Sequence, residues 1–259
     1  MKAVLIALLL CWIPVAPVWC QGTTQDPYIT VDRDSEISGG MEYVITHSFD
    51  IVGVNWEKGL VATKQVYEIE EQYGEEGEVS VTPYNCGYAG MEKQPLAGVI
   101  LGVYDLNAGA FLETFTVYAS VGEASACLSH TESVASLEAA KAYWTSQGVG
   151  NAAKPTVLAV KEFAAQHPQL QLELKNYDVP VDENDFYRWG ISEVWMGGEV
   201  VYGIREQHTP SALTGVEYTY YGVVSQGDGF FLLGKSRYFN LWEPGYSHEY
   251  PFVTPVFKH

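Results

Sequence analysis

The order of elements predicts an α+β protein: β-rich, with antiparallel sheets or a sandwich built of hairpins, and two helices inserted near residues 130–166. Three observations carry this. Before residue 130, runs of β-branched and aromatic residues are joined in pairs by short turns. Helical spacing with stop signals occupies the middle. Beyond residue 190 the hairpin pattern returns.

Glu42–Trp56 and Gly59–Gln72 read as two strands joined at Glu57-Lys58-Gly59, and Tyr67-Glu68-Ile69-Glu70 alternates clearly. Glu78–Thr82 reads as a short strand ending at Pro83. Ala97–Asp105 and Ala110–Tyr118 flank Leu106-Asn107-Ala108-Gly109, where Asn and Gly tolerate the positive φ of a tight turn. Ser129 and Glu132 have the spacing of a capping box. Val134, Leu137, Ala140 (or Lys141) and Trp144 then recur on one helical face, and Gly148 is a natural stop. A second helix is expected from about Lys154 to Gln166, with Pro155 in its first turn, Pro168 beyond its end, and Val157, Val160 and Ala164 on one face. Ile191–Met196 and Glu199–Arg205 flank Gly197-Gly198, and Val216–Ser225 and Phe230–Phe239 flank residues 226–229, giving two further hairpins. The tail from Trp242 to His259, rich in proline and aromatics, is expected to lie extended on the body. An outer-membrane barrel fits the aromatics and the alternation, but the two helices and strands mostly shorter than about 9–11 residues weigh against it.

Export is expected from the first twenty residues. Lys2 is a minimal positive n-region, Ala3–Trp12 is an apolar run of h-region length, and Pro14 and Pro17 break any helix ahead of a cleavage point after Cys20. The run falls short of the roughly 20 apolar residues a transmembrane helix needs. Lipidation of Cys20 is an alternative, though Trp19 is large for that position. The expected organisation is a signal peptide over 1–20, a polar lead-in over 21–40, and one β-rich domain over 41–259, whose length leaves room for a subdivision near 150–180. The destination is then secreted or periplasmic. None of the seven asparagines opens an N-x-S/T sequon, which tilts the reading toward a bacterial exported protein.

A formal net charge of −18 would repel nucleic acid and anionic membranes, so neither is an expected partner. With only 18% charged but 47% hydrophobic residues, the chain is not an acidic disordered tail. Outside the leader only Cys86 and Cys127 remain, and in an oxidising compartment they are expected to pair. Closing that loop would add about 3–4 kcal/mol on the chain-entropy model.

No G-x-S-x-G elbow, H-E-x-x-H, P-loop or dinucleotide fingerprint occurs, and no cofactor is expected. Calcium is the one metal the acids suggest. Asp182, Glu183 and Asp185, after Pro180, would offer oxygen ligands in an irregular loop. Asp32-Arg33-Asp34-Ser35-Glu36 starts like an EF-hand loop, but Ile37 stands where the turn glycine belongs. Aromatics crowd the C-terminal third with acids among them. Trp189, Trp195, Tyr220 and Trp242, with Glu193 and Glu243, are the candidate ligand-binding residues, because ring faces stack on sugars and carboxylates take hydroxyl hydrogens. The same aromatics also suit a sheet core. The expected function is a non-catalytic binding or structural protein of the envelope or exterior, with carbohydrate or an envelope protein as partner. The alternative is a secreted glycoside hydrolase acting through two carboxylates.

Overall fold

β-branched and aromatic residues alternate with polar ones over most of the chain, a pattern that fits a pleated, half-buried surface. The computed structural model describes residues 27–31, 41–72, 97–121, 125–126, 130–150, 154–181, 187–209, 213–240 and 246–258. Its strands are β1 (Tyr28–Val31), β2 (Met41–Asn55), β3 (Leu60–Gln72), β4 (Ala97–Asp105), β5 (Ala110–Val121), β6 (Ser125–Ala126), β7 (Val157–Leu158), β8 (Glu173–Pro180), β9 (Arg188–Met196), β10 (Glu199–His208), β11 (Thr214–Gln226), β12 (Gly229–Asn240), β13 (Tyr246–Val253) and β14 (Phe257–Lys258). Two helices, α1 (His130–Gln147) and α2 (Val160–Gln166), fall in the middle, and a single 3-10 turn covers Pro168–Leu170. The protein is therefore a β-dominated α+β fold. Among the described residues no helix is long and apolar enough to cross a membrane.

Four hairpins form where the turn chemistry places them. The β9–β10 turn is Gly197-Gly198, both at positive φ (59° and 87°), which only glycine adopts freely. The β11–β12 turn closes at Gln226↔Gly229, and β4–β5 and β2–β3 turn at Gly109 and Gly59, both also at positive φ. The strands assemble into a four-stranded sheet, β1-β10-β9-β8, and a ten-stranded sheet ordered β6-β5-β4-β3-β2-β13-β12-β11-β7, with β14 added on β12. All neighbours are antiparallel except β1 with β10 and β13 with β2.

Three departures from the sequence reading have physical causes. The second helix begins at Val160, not Lys154, because Val157 and Leu158 pair with Val224 and Val223 on the β11 edge. Its buried anchor is Phe163 rather than Val157, which is exposed. The C-terminal tail is not merely laid on the body, because β13 sits between β12 and β2 inside the large sheet. Pro251 is tolerated there because β13 pairs with β2 only over Tyr246–His248, leaving that side free of ladder bonds further on. Finally, Tyr28–Val31, within the segment read as a polar lead-in, forms strand β1 beside β10. Cys86, Cys127, the Glu78–Thr82 strand, Ser129 and the leader lie outside the described residues.

The core is built in layers. Val194, Tyr202 and Ile204 on one face of the four-stranded sheet meet Tyr218, Phe230 and Leu232 of the large sheet, with Phe163 of α2 closing the side. The opposite face of β12 turns Phe231 and Leu233 toward Ile51, Val61 and Tyr104 of the N-terminal strands. Beyond those strands, α1 lays Ala140 and Trp144 on Ala62, Leu101 and Val103. Val134 of the expected helical face is 46% exposed, so the contact belongs to the C-terminal half of α1. There the Trp144 indole donates to the Gly102 carbonyl at 3.0 Å. We expect Trp144→Phe to lower the unfolding free energy by about 1–3 kcal/mol, since the smaller ring leaves a void against Ala62, Leu101 and Val103 and a buried carbonyl loses its donor. Urea unfolding should show the midpoint shift with unchanged far-UV circular dichroism.

Candidate functional site

The candidate site lies on the face of the four-stranded sheet turned away from the core. Period-2 alternation sends Trp189, Ile191, Glu193 and Trp195 of β9 to that side, while Ser192 and Val194 point inward. Across the ladders, Lys175 and Gly203 flank Glu193, and Tyr177 and Arg205 flank Ile191. Tyr28 of β1 pairs with Gly203.

Glu193 is the centre. Its side chain is charged, yet the residue is only 2% exposed. What covers it is not the core but neighbouring rings. Tyr28 Oη donates to Glu193 Oε1, Tyr177 Oη donates to the same oxygen at 2.5 Å, and Trp195 Nε1 donates to Oε2 at 2.7 Å. Tyr28 reaches it from two strands away, a span of roughly 10 Å at the usual strand spacing. The reach requires Gly203: a Cβ there would collide with the Tyr28 ring. Burial pushes the Glu193 carboxyl up, but the bonds from Tyr177, Tyr28 and Trp195, with the Lys175 charge, outweigh it and hold the group below its ordinary value. The Tyr28 phenol moves the other way, raised by desolvation and then by its bond to Glu193.

Cations order the surrounding rings. Lys175 Nζ stands 3.6 Å from the centroid of the Trp195 ring and pairs with Glu173 at 3.2 Å. The Arg205 guanidinium lies 5.7 Å from the Trp189 ring and 5.8 Å from that of Tyr28, while its Nε donates to Thr30 Oγ1 at 2.8 Å. The result is a ring-lined surface whose side chains are fixed from four strands.

Of the residues singled out by sequence, the structure brings Trp189, Glu193 and Trp195 together on this face. Tyr220 is elsewhere. It packs edge-on against Phe252 in the inter-sheet core, its hydroxyl meets Ser192 Oγ at 3.2 Å, and burial pushes that hydroxyl up to about 12. Trp242, Glu243, Asp182, Glu183 and Asp185 lie outside the described residues. Among the described residues no group of three or more His, Cys, Asp or Glu is placed to hold a metal ion. Sequence reasoning missed Tyr28, Tyr177, Lys175 and Arg205, which come from three other strands.

A cleft of about 280 Å³ adjoins this face between β8 and β11, lined in part by Tyr177, Asp178, Glu217 and Tyr218. Both acids have partners: His208 Nε2 lies 3.4 Å from Asp178 Oδ1, and Arg237 Nη1 donates to Glu217 Oε2 at 3.4 Å.

The fold and this face define a class: a β-dominated α+β protein carrying an aromatic surface organised by one carboxylate. Beyond that class the residues stand alone, since no family model, curated protein or solved structure matches the chain.

Proposed function

We propose that this is a non-catalytic, exported binding protein that holds carbohydrate on the outer face of the four-stranded sheet. The observation that carries the reading is the Glu193 constellation. One carboxylate fixes two phenols and an indole, so the rings meet a ligand already ordered and less entropy is lost on binding. Rings with a polar tip suit a sugar, which offers apolar faces and hydroxyls together. The same geometry weighs against Glu193 as a hydrolase's general acid. Both its oxygens are engaged, and its pKa moves down, whereas a general acid needs it raised. The leader-like first twenty residues support export.

A glycan array probed with the chain lacking residues 1–20 tests this. We expect saturable binding to one glycan class, weakened about tenfold or more by Tyr177→Ala and by Trp195→Ala, the scale set by removing one ring from a stack. A silent array rejects carbohydrate as the ligand. Binding untouched by both variants removes it from this face.

One observation favours a second reading: Asp178 and Glu217 line the same cleft. If the protein hydrolyses glycosidic bonds, that cleft holds the acid pair, and release of reducing ends from the bound glycan should vanish in Asp178→Asn and Glu217→Gln.

A further inference from the structure

Strands β2 and β11 approach where Tyr221 Oη donates to the Phe49 carbonyl at 3.4 Å. Between them and the segment entering β7 lies a cleft of about 300 Å³, at the small end of ligand pockets. Its apolar floor is set by Ile51 and Leu233, each 1% exposed, with Val157 at the rim. Asp50 and Lys154 both line it. Neither takes part in an ion pair with a described residue. Two opposite charges thus line one small cavity without a direct ion pair between them, while Lys64 stands opposite Asp50 across the β2–β3 ladder. The Asp50 charge is felt at its neighbour: the Tyr221 hydroxyl is pushed up to about 12, first by desolvation and then by that carboxylate.

We propose that this cleft binds a small zwitterion with an apolar tail, the chemical class of the aliphatic α-amino acids. The ammonium faces Asp50, with the Tyr221 oxygen as a further acceptor. The carboxylate takes Lys154 Nζ, and the tail lies on Pro155 and Val157 above the buried Ile51 and Leu233. Charge complementarity selects the class. A simple anion would leave Asp50 unpaired, and a simple cation would leave Lys154 unpaired, so only a ligand carrying both groups satisfies both walls. The site is independent of the aromatic face.

Isothermal titration calorimetry of the folded chain with L-leucine, isoamylamine and 4-methylpentanoate tests it, because the last two each lack one charged group. L-leucine should bind saturably, and each single-charge analogue about tenfold more weakly or worse. Asp50→Asn and Lys154→Gln should each weaken leucine by a similar factor, and Val157→Trp should block the cleft. Thermal midpoints of every variant separate impaired binding from impaired folding. Lys154 and Val157 are exposed, so those two variants carry the test if Asp50→Asn fails to fold. Absence of saturable leucine binding overturns the proposal, as does leucine binding unchanged in Lys154→Gln and Val157→Trp.

Discussion

Phe230→Ala should lower the unfolding free energy by about 3–5 kcal/mol, the usual range for truncating a fully buried phenylalanine. Phe230 is 0% exposed and stands where several elements meet. Its ring lies 4.8 Å from that of Phe163 on α2 and 5.3 Å from that of Phe257 on β14. Removing it strips the shared packing partner from a helix of only seven residues and a strand of two, neither of which holds itself by local bonding. The forfeited transfer energy therefore adds to a cavity that the ten-stranded sheet cannot collapse to fill. Against a typical total of about 5–15 kcal/mol, this is a large fraction. Urea unfolding should show a lower midpoint at unchanged slope. Phe111→Ala is the control, since Phe111 is 41% exposed on β5. If the two variants cost the same, Phe230 is not the keystone of this layer.

What the sequence made legible was local. The hairpins at Gly109, Gly197-Gly198 and Gly227 combine a turn residue with alternation on either side, and both signals lie within about ten residues. The helix ending at Gly148 was equally local, with its leading face weakened only by Val134. Pairings between distant segments were not legible. Strand β13 carries Pro251, and its join to β2 is three residue pairs long, so nothing in 246–253 distinguishes a sheet strand from an extended tail. Strand β8 reads as polar (ELKNYDVP) because it is an edge, exposed over much of its length. The site divides in the same way. Trp189, Glu193 and Trp195 share a face by period-2 spacing within one strand. Tyr28 is 165 residues from Glu193, and the one hint of it is the missing side chain at Gly203, which acquires meaning only when β1 lies beside β10.

Glu193→Gln should lower stability by about 1.5–3 kcal/mol, the usual scale for a hydrogen bond to a charged group. A glutamine keeps one acceptor oxygen and replaces the other with a donor. Glu193 Oε1 accepts two phenols and Oε2 accepts the Trp195 indole, so the amide leaves at least one donor facing a donor in either orientation. The figure stays modest because the carboxylate is sealed by side chains rather than set deep in protein, and solvent around the face screens its charge. The acid limb follows from linkage. The folded-state value lies below the ordinary one, and an unfolded glutamate titrates near about 4.3. The contribution is therefore fully present above about pH 4.3 and fades as pH falls through the folded value, where the folded carboxylate must also take up a proton. Wild type should lose stability relative to Glu193→Gln over that window, and the two curves should converge at its acid end. A difference that stays constant from neutral pH to pH 3 would mean that the carboxylate's charge does not organise the aromatic face. Convergence, with reduced glycan binding by Glu193→Gln at neutral pH, would tie the electrostatics of one buried acid to the order of the rings that meet the ligand.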